Sequence, residues 1–121
     1  MADSQVTLPP VTIDPALALL EFSSIAAGVL AADAMVKKAP LDIIRAGTVQ
    51  PGRFLVLVGG PVAEVEESLR AGMDSAPDVL TDHIFLPGVH PDVVRALAGG
   101  RSVKPDDALG IIETATVPAA I

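Results

Sequence analysis

His83 and His90 are the only histidines in the chain and stand seven residues apart, so they are the first place to look for metal or acid–base chemistry. The setting does not support it. No cysteine occurs anywhere, and no carboxylate cluster flanks the pair at ligand spacing. Nucleophilic catalysis needs a hydroxyl or thiol beside a base that a third group orients. Ser23, Ser24, Ser68, Ser75 and Ser102 lie in no nucleophile-elbow context, and both histidines fall on or near one late strand, so no triad is readable. Glu64, Glu66 and Glu67 resemble paired acids, but at the start of a helix they are more simply a solvated face favoured by the helix dipole. Gly59-Gly60 lacks the later glycine and the Lys-Ser/Thr pair of a phosphate loop. The residues point away from an enzyme. No catalytic residue, metal ligand or cofactor site is assigned.

Bulk composition narrows the classes further. Half of the 121 residues are apolar, enough for one domain with a real core. Aromatics are reduced to three Phe, with no Trp or Tyr, which removes the stacking platforms of nucleic-acid binders. Eight basic against fifteen acidic residues leave a net charge of −7, which repels phosphate backbones. The opening Met1-Ala2-Asp3-Ser4-Gln5 has no basic leader region, and the apolar stretch Ile25 to Ala32 stops at Asp33, far short of a bilayer span. The expectation is a cytoplasmic protein with neither nucleic acid nor membrane as partner.

Hydrophobic patterning then supplies the elements. Residues 1–14 carry Leu8-Pro9-Pro10 and Asp14-Pro15 and read as a proline-containing tail. Ala16 to Phe22 is a nearly unbroken apolar run of strand length, the pattern of a strand covered on both faces or by helices on one. Ser23 or Ser24 caps a helix whose stripe is Ile25, Val29, Ala32 and Val36, with Lys37 and Lys38 in the last turn. Leu41 to Ala46 and Arg53 to Val58 read as strands around an irregular Gly47–Gly52 turn. Pro61 opens a second helix with Val62, Val65, Leu69 and Met73 as its buried stripe and Glu66–Arg70 as a surface pair. Asp82 to Leu86 is a fourth strand, and Pro91 to Ala98 a short helix ended by Gly99-Gly100. This order predicts an α+β fold, the ferredoxin-like split βαβ, with one short helix appended.

The end of the chain repeats its beginning. Ala108-Leu109-Gly110-Ile111-Ile112-Glu113-Thr114-Ala115-Thr116-Val117 has the character of Ala16-Leu17-Ala18-Leu19-Leu20-Glu21-Phe22-Ser23-Ser24-Ile25, with a polar linker over 99–107 between them. The sequence stops at Ile121, inside what would be the repeated first helix. Either residues 108–121 begin a second, incomplete repeat of a longer chain, or they fold as an arm on the first domain or a neighbour; a chance match is the plain alternative.

Four segments in order carry a family resemblance. Ala16 to Glu21, Ala31-Ala32-Asp33-Ala34-Met35-Val36-Lys37, Phe54 to Val65 through Gly59-Gly60-Pro61-Val62, and Leu86-Pro87-Gly88-Val89-His90 together resemble the bacterial microcompartment shell domain over residues 15–98. The restart at Ala108 resembles the tandem-domain class, whose trimers imitate the hexagonal tiles of the single-domain class. The resemblance implies a structural shell protein that assembles with itself, as trimer or hexamer, and with other shell proteins. Such shells enclose enzymes and pass small metabolites through a central pore. Lys37 then falls on the tile-edge lysine; alone it would be an ordinary helix-end lysine. Gly88 replaces an edge arginine common in the family, and His90 is either an edge residue or a helix cap. Gln50-Pro51-Gly52, with Arg53 next, occupies the pore-lining loop but departs from its small-residue pattern. An Arg53 that reached the lumen would favour anions; the plain alternative is an arginine facing solvent at a strand edge. The competing function is a ferredoxin-like small-molecule-binding regulatory domain, which the same element order serves. A shell-associated accessory protein is a third reading.

Overall fold

The computed structural model describes residues 15–99 and 104–121. The proline-containing tail and residues 100–103 of the expected linker lie outside the described residues. Four strands and three helices run in the order β1 (Ala16–Phe22), α1 (Ile25–Lys38), β2 (Ile43–Val49), β3 (Arg53–Gly60), α2 (Val62–Ser75), β4 (Leu80–Leu86) and α3 (Pro91–Gly99). The sheet order is β2-β3-β1-β4 with every neighbouring pair antiparallel. This is the predicted α+β, ferredoxin-like arrangement with its extra helix.

β1 is buried at all seven positions because it is central in the sheet and covered on both faces. Its even-numbered residues Ala18, Leu20 and Phe22 join Phe54, Val56 and Val58 of β3 under α1 and α2. Its odd-numbered Leu17 and Leu19 face the other side, where Leu57, Val89, Val94 and Leu97 form a smaller cluster beneath α3. The alternation of side chains across a strand makes these two layers.

Val62, expected in the buried stripe of α2, is 37% exposed, and two further sequence expectations need correction. Ile25, Val29 and Val36 do form one stripe of α1, but they are 42%, 51% and 39% exposed; the helix buries Gly28, Ala31 and Met35 instead. The cause is close approach: a Cβ on Gly28 would stand 2.5 Å from Cδ2 of Phe54, so the helix sits on the sheet through its smallest residues. Ser68 belongs to the same packing, fully buried with its hydroxyl donating to the Met35 carbonyl at 3.0 Å. The second correction concerns β2, expected over Leu41–Ala46. It runs to Val49, because Gly47, Thr48 and Val49 pair with Leu55, Phe54 and Arg53. The turn shrinks to Gln50-Pro51-Gly52, closed by Gly52 at φ +70°, a conformation that glycine adopts without steric cost.

Residues 108–112 form no strand in this chain, and Leu109, Ile111 and Ile112 are 83%, 87% and 75% exposed. From Thr114 onward the chain turns onto the sheet. Val117 packs against the smaller cluster, Pro118 is buried, and Pro118–Ala120 makes one 3-10 turn. Among the described residues no helix is long and apolar enough to cross a membrane.

Candidate functional site

The topology sends the two groups of candidate residues to opposite ends of the sheet. α1 runs back antiparallel to β1, so Lys37 in its last turn lies at the end where β1 starts and β4 finishes, near the level of Gly88 and His90. Gln50, Pro51 and Gly52 cap the other end, where β1 finishes and the β2–β3 hairpin turns. β3, eight residues long, separates the two ends by about 25 Å at roughly 3.3 Å per residue.

At the first end, Lys37 is exposed and its Nζ lies 2.8 Å from Oδ2 of Asp33, one helical turn earlier. Gly88 is exposed. His90 accepts the Asp92 backbone N–H through Nδ1 at 3.1 Å, capping α3. Beside it Val89 is buried and donates its N–H to the Pro15 carbonyl, which pins this turn to the start of β1. Among the described residues no hydrogen bond joins Lys37 to Gly88 or His90. They share an end of the fold without forming a constellation.

At the other end, Gln50, Pro51 and Gly52 are exposed at the hairpin tip, and Arg53 turns away from it. Arg53 sits one residue before Phe54, whose ring is in the helix-covered core, so by strand alternation the Arg53 side chain falls on the opposite face. There its Nη1 lies 3.0 Å from Oε2 of Glu21 and 3.0 Å from the Ala115 carbonyl oxygen.

Glu21, passed over in the sequence reading, is the most informative charge in the molecule. Its side chain is fully buried in β1, and its second oxygen accepts the Val117 N–H at 2.9 Å. A buried carboxylate persists only when its oxygens are satisfied in this way. Directly opposite in β4 stands Asp82, whose Oδ2 accepts the Thr116 hydroxyl at 2.6 Å. That bond, with the His83 backbone N–H, holds the Asp82 carboxyl below its ordinary value. The available signal was a lone carboxylate near the end of an apolar strand. A cleft of about 330 Å³ opens between this group and the hairpin, bordered by Gln50, Arg53, Glu113 and Thr116. Among the described residues no serine takes part in this arrangement, and Ser68 is committed to helix packing.

Comparison with known proteins decides the family. The model of the BMC domain matches residues 16–89. The chain belongs to the BMC domain family. The chain is similar to the bacterial microcompartment shell protein PduT of Citrobacter freundii, 41% identical over 106 residues, which covers 88% of this chain and 58% of that protein. It is also 40% identical over 75 residues to the carboxysome shell protein CcmK2 of Synechococcus elongatus, covering 58% of this chain and 74% of the other. Among solved structures, a microcompartment protein from Desulfitobacterium hafniense superposes with a TM-score of 0.70 at 40% identity, over 75% of this chain and 51% of that one. The chain thus spans little more than half the length of two of these relatives.

Proposed function

We propose that this chain is a structural subunit of a bacterial microcompartment shell, a flat tile that joins its neighbours edge to edge. The observation that carries the reading is the 41% identity to a shell protein over 88% of the chain. The geometry supports it. Lys37, Gly88 and His90 are assigned to the tile edge, and Gln50, Pro51 and Gly52 to the pore, with Arg53 at the root of the loop; these surfaces lie at opposite ends of one rigid sheet. Ile25, Val29 and Val36 expose an apolar stripe along α1, a surface that association would cover. With Arg53 engaged by Glu21, the loop tip offers neutral groups to a passing metabolite rather than a cation. The edge takes copies of this chain and other shell proteins. Enclosed enzymes are further candidate partners.

The relatives' greater length and the restart at Ala108 support a tandem tile, with residues 15–98 as the first domain, 99–107 as linker and 108–121 as the start of a second repeat. The ring would then be a trimer. Native mass measurement of the parent reading frame, with electron microscopy of concentrated protein, tests both statements. Trimers that form extended layers are the expected result. Discrete particles in both the parent and Lys37→Ala would overturn the shell reading.

A further inference from the structure

Ala115, Thr116 and Val117 are read one residue at a time by three strands. Arg53 of β3 donates to the Ala115 carbonyl at 3.0 Å, Asp82 of β4 accepts the Thr116 hydroxyl at 2.6 Å, and Glu21 of β1 accepts the Val117 N–H at 2.9 Å. Val117 then enters the cluster of Leu17, Leu19 and Leu57. The sheet by itself is a poor home for this arrangement. Glu21 and Asp82 are directly opposed carboxylates on adjacent strands, a destabilising pair unless donors come between them. Arg53 supplies one such donor. The others arrive with the segment.

The segment has a second identity. Thr116 Oγ1 accepts the Ala119 N–H at 3.3 Å, and Ser24 Oγ accepts the Ala27 N–H at 3.2 Å to cap α1. Both caps bond three residues ahead, and Thr116 stands to Glu113 as Ser24 stands to Glu21. Ala115-Thr116-Val117 and Ser23-Ser24-Ile25 share the pattern small, hydroxyl, β-branched. Thus the segment seated on the sheet has the features of a helix start, the one that follows a Glu-bearing strand in this fold.

We propose that Glu21, Arg53 and Asp82 form a docking site for the helix start of a following BMC repeat, filled in this chain by Ala115–Pro118. Each contact has a recognition role: Arg53 selects a carbonyl ahead of the cap, Asp82 requires a cap with a hydroxyl proton to give, and Glu21 requires a backbone N–H after it. A cap of Asp does not meet the second requirement, because its carboxylate has no proton to give to Asp82. The inference rests on the repeat reading above and adds to it the contact through which successive repeats orient one another, at the root of the Gln50–Gly52 loop.

The test uses the full chain. Thr116→Val keeps the shape and removes the hydroxyl; amide hydrogen exchange at Val117 should accelerate at least about tenfold, with β1 amides changing less than about twofold, and Thr116→Ser should restore protection. Equal acceleration at Val117 and β1, or none, overturns the proposal. Addition of a synthetic peptide of residues 113–121 to the Thr116→Val chain, at about 1 mM to approach the effective concentration of a short tether, should shift the resonances of Arg53 and Asp82 saturably. A peptide of residues 21–29 should do the same, and one with Val in place of its Ser24 should not. Absence of shifts with both unmodified peptides, or identical shifts with the Val peptide, overturns the docking site. Layer formation reports separately on the shell reading, so the two failures are distinguishable.

Discussion

Arg53 and Glu21 meet across the face of the sheet opposite α1 and α2, Nη1 to Oε2 at 3.0 Å, with the carboxylate fully buried and the arginine side chain 36% exposed. The register explains the reach: Glu21 pairs with Leu55, two residues beyond Arg53 on β3, so the ion pair is a diagonal one. Removing one partner strands a buried charge, which costs more than the pair itself contributes. Arg53→Leu should lower stability by about 2–3 kcal/mol in urea unfolding, at or below the lower end for buried pairs because the arginine is partly solvated and Val117 still serves Glu21. Glu21→Leu with Arg53→Leu should recover most of that loss. A double variant no more stable than Arg53→Leu alone would contradict this account.

Gly28→Ala places a Cβ against the Phe54 side chain, 2.5 Å from Cδ2 and 2.7 Å from its Cβ. The phenyl group is wedged in the core, so the overpacking cost of about 1–3 kcal/mol outweighs the gain of up to about 1 kcal/mol in helix propensity. A net loss of about 1–2 kcal/mol is expected. Gly47→Ala is the control: nothing lies within 4 Å of its added Cβ, and its effect should stay within about 0.5 kcal/mol. Thermal unfolding of the two variants checks the contrast.

Asp82 supplies a pH signature. The Thr116 hydroxyl, and then the His83 N–H, hold its carboxyl below the ordinary aspartate range, with Glu21 opposite it and the His83 ring nearby as the other ionisable neighbours. A carboxyl depressed by folding stabilises the native state above the unfolded aspartate pKa of about 3.9 and loses that contribution as pH falls through the folded value. Thr116→Val should raise the Asp82 pKa in an NMR titration and weaken the dependence of stability on pH below about 4. An unmoved Asp82 would show that the hydroxyl bond is not the cause.

Lys37 and Asp33 are an exposed pair one turn apart, 73% and 54% exposed, of the kind that contributes a few tenths of a kcal/mol at most. Lys37→Ala should therefore leave the unfolding midpoint nearly unchanged while reducing layer formation in the parent protein. A folding defect of more than about 1 kcal/mol would mean that the lysine serves the fold rather than the edge.

The local signals in the sequence were sufficient for the strand Ala16–Phe22, the proline start and glycine end of α3, the Glu66–Arg70 pair and the order of the elements, because each depends on residues close together in the chain. They were not sufficient for which face of α1 is buried. Ile25, Val29 and Val36 make the more hydrophobic stripe, yet the shape of Phe54 on a strand far along the chain selects Gly28, Ala31 and Met35. Nor could they end β2 at Val49, since Gly47 and Thr48 read as a turn until Leu55 and Phe54 pair with them. The site at Glu21 has the same origin. Its residue types were all visible, but only antiparallel register and strand alternation put Glu21, Arg53 and Asp82 on one face, and only the folded-back segment supplied the donors that make a buried carboxylate tolerable there.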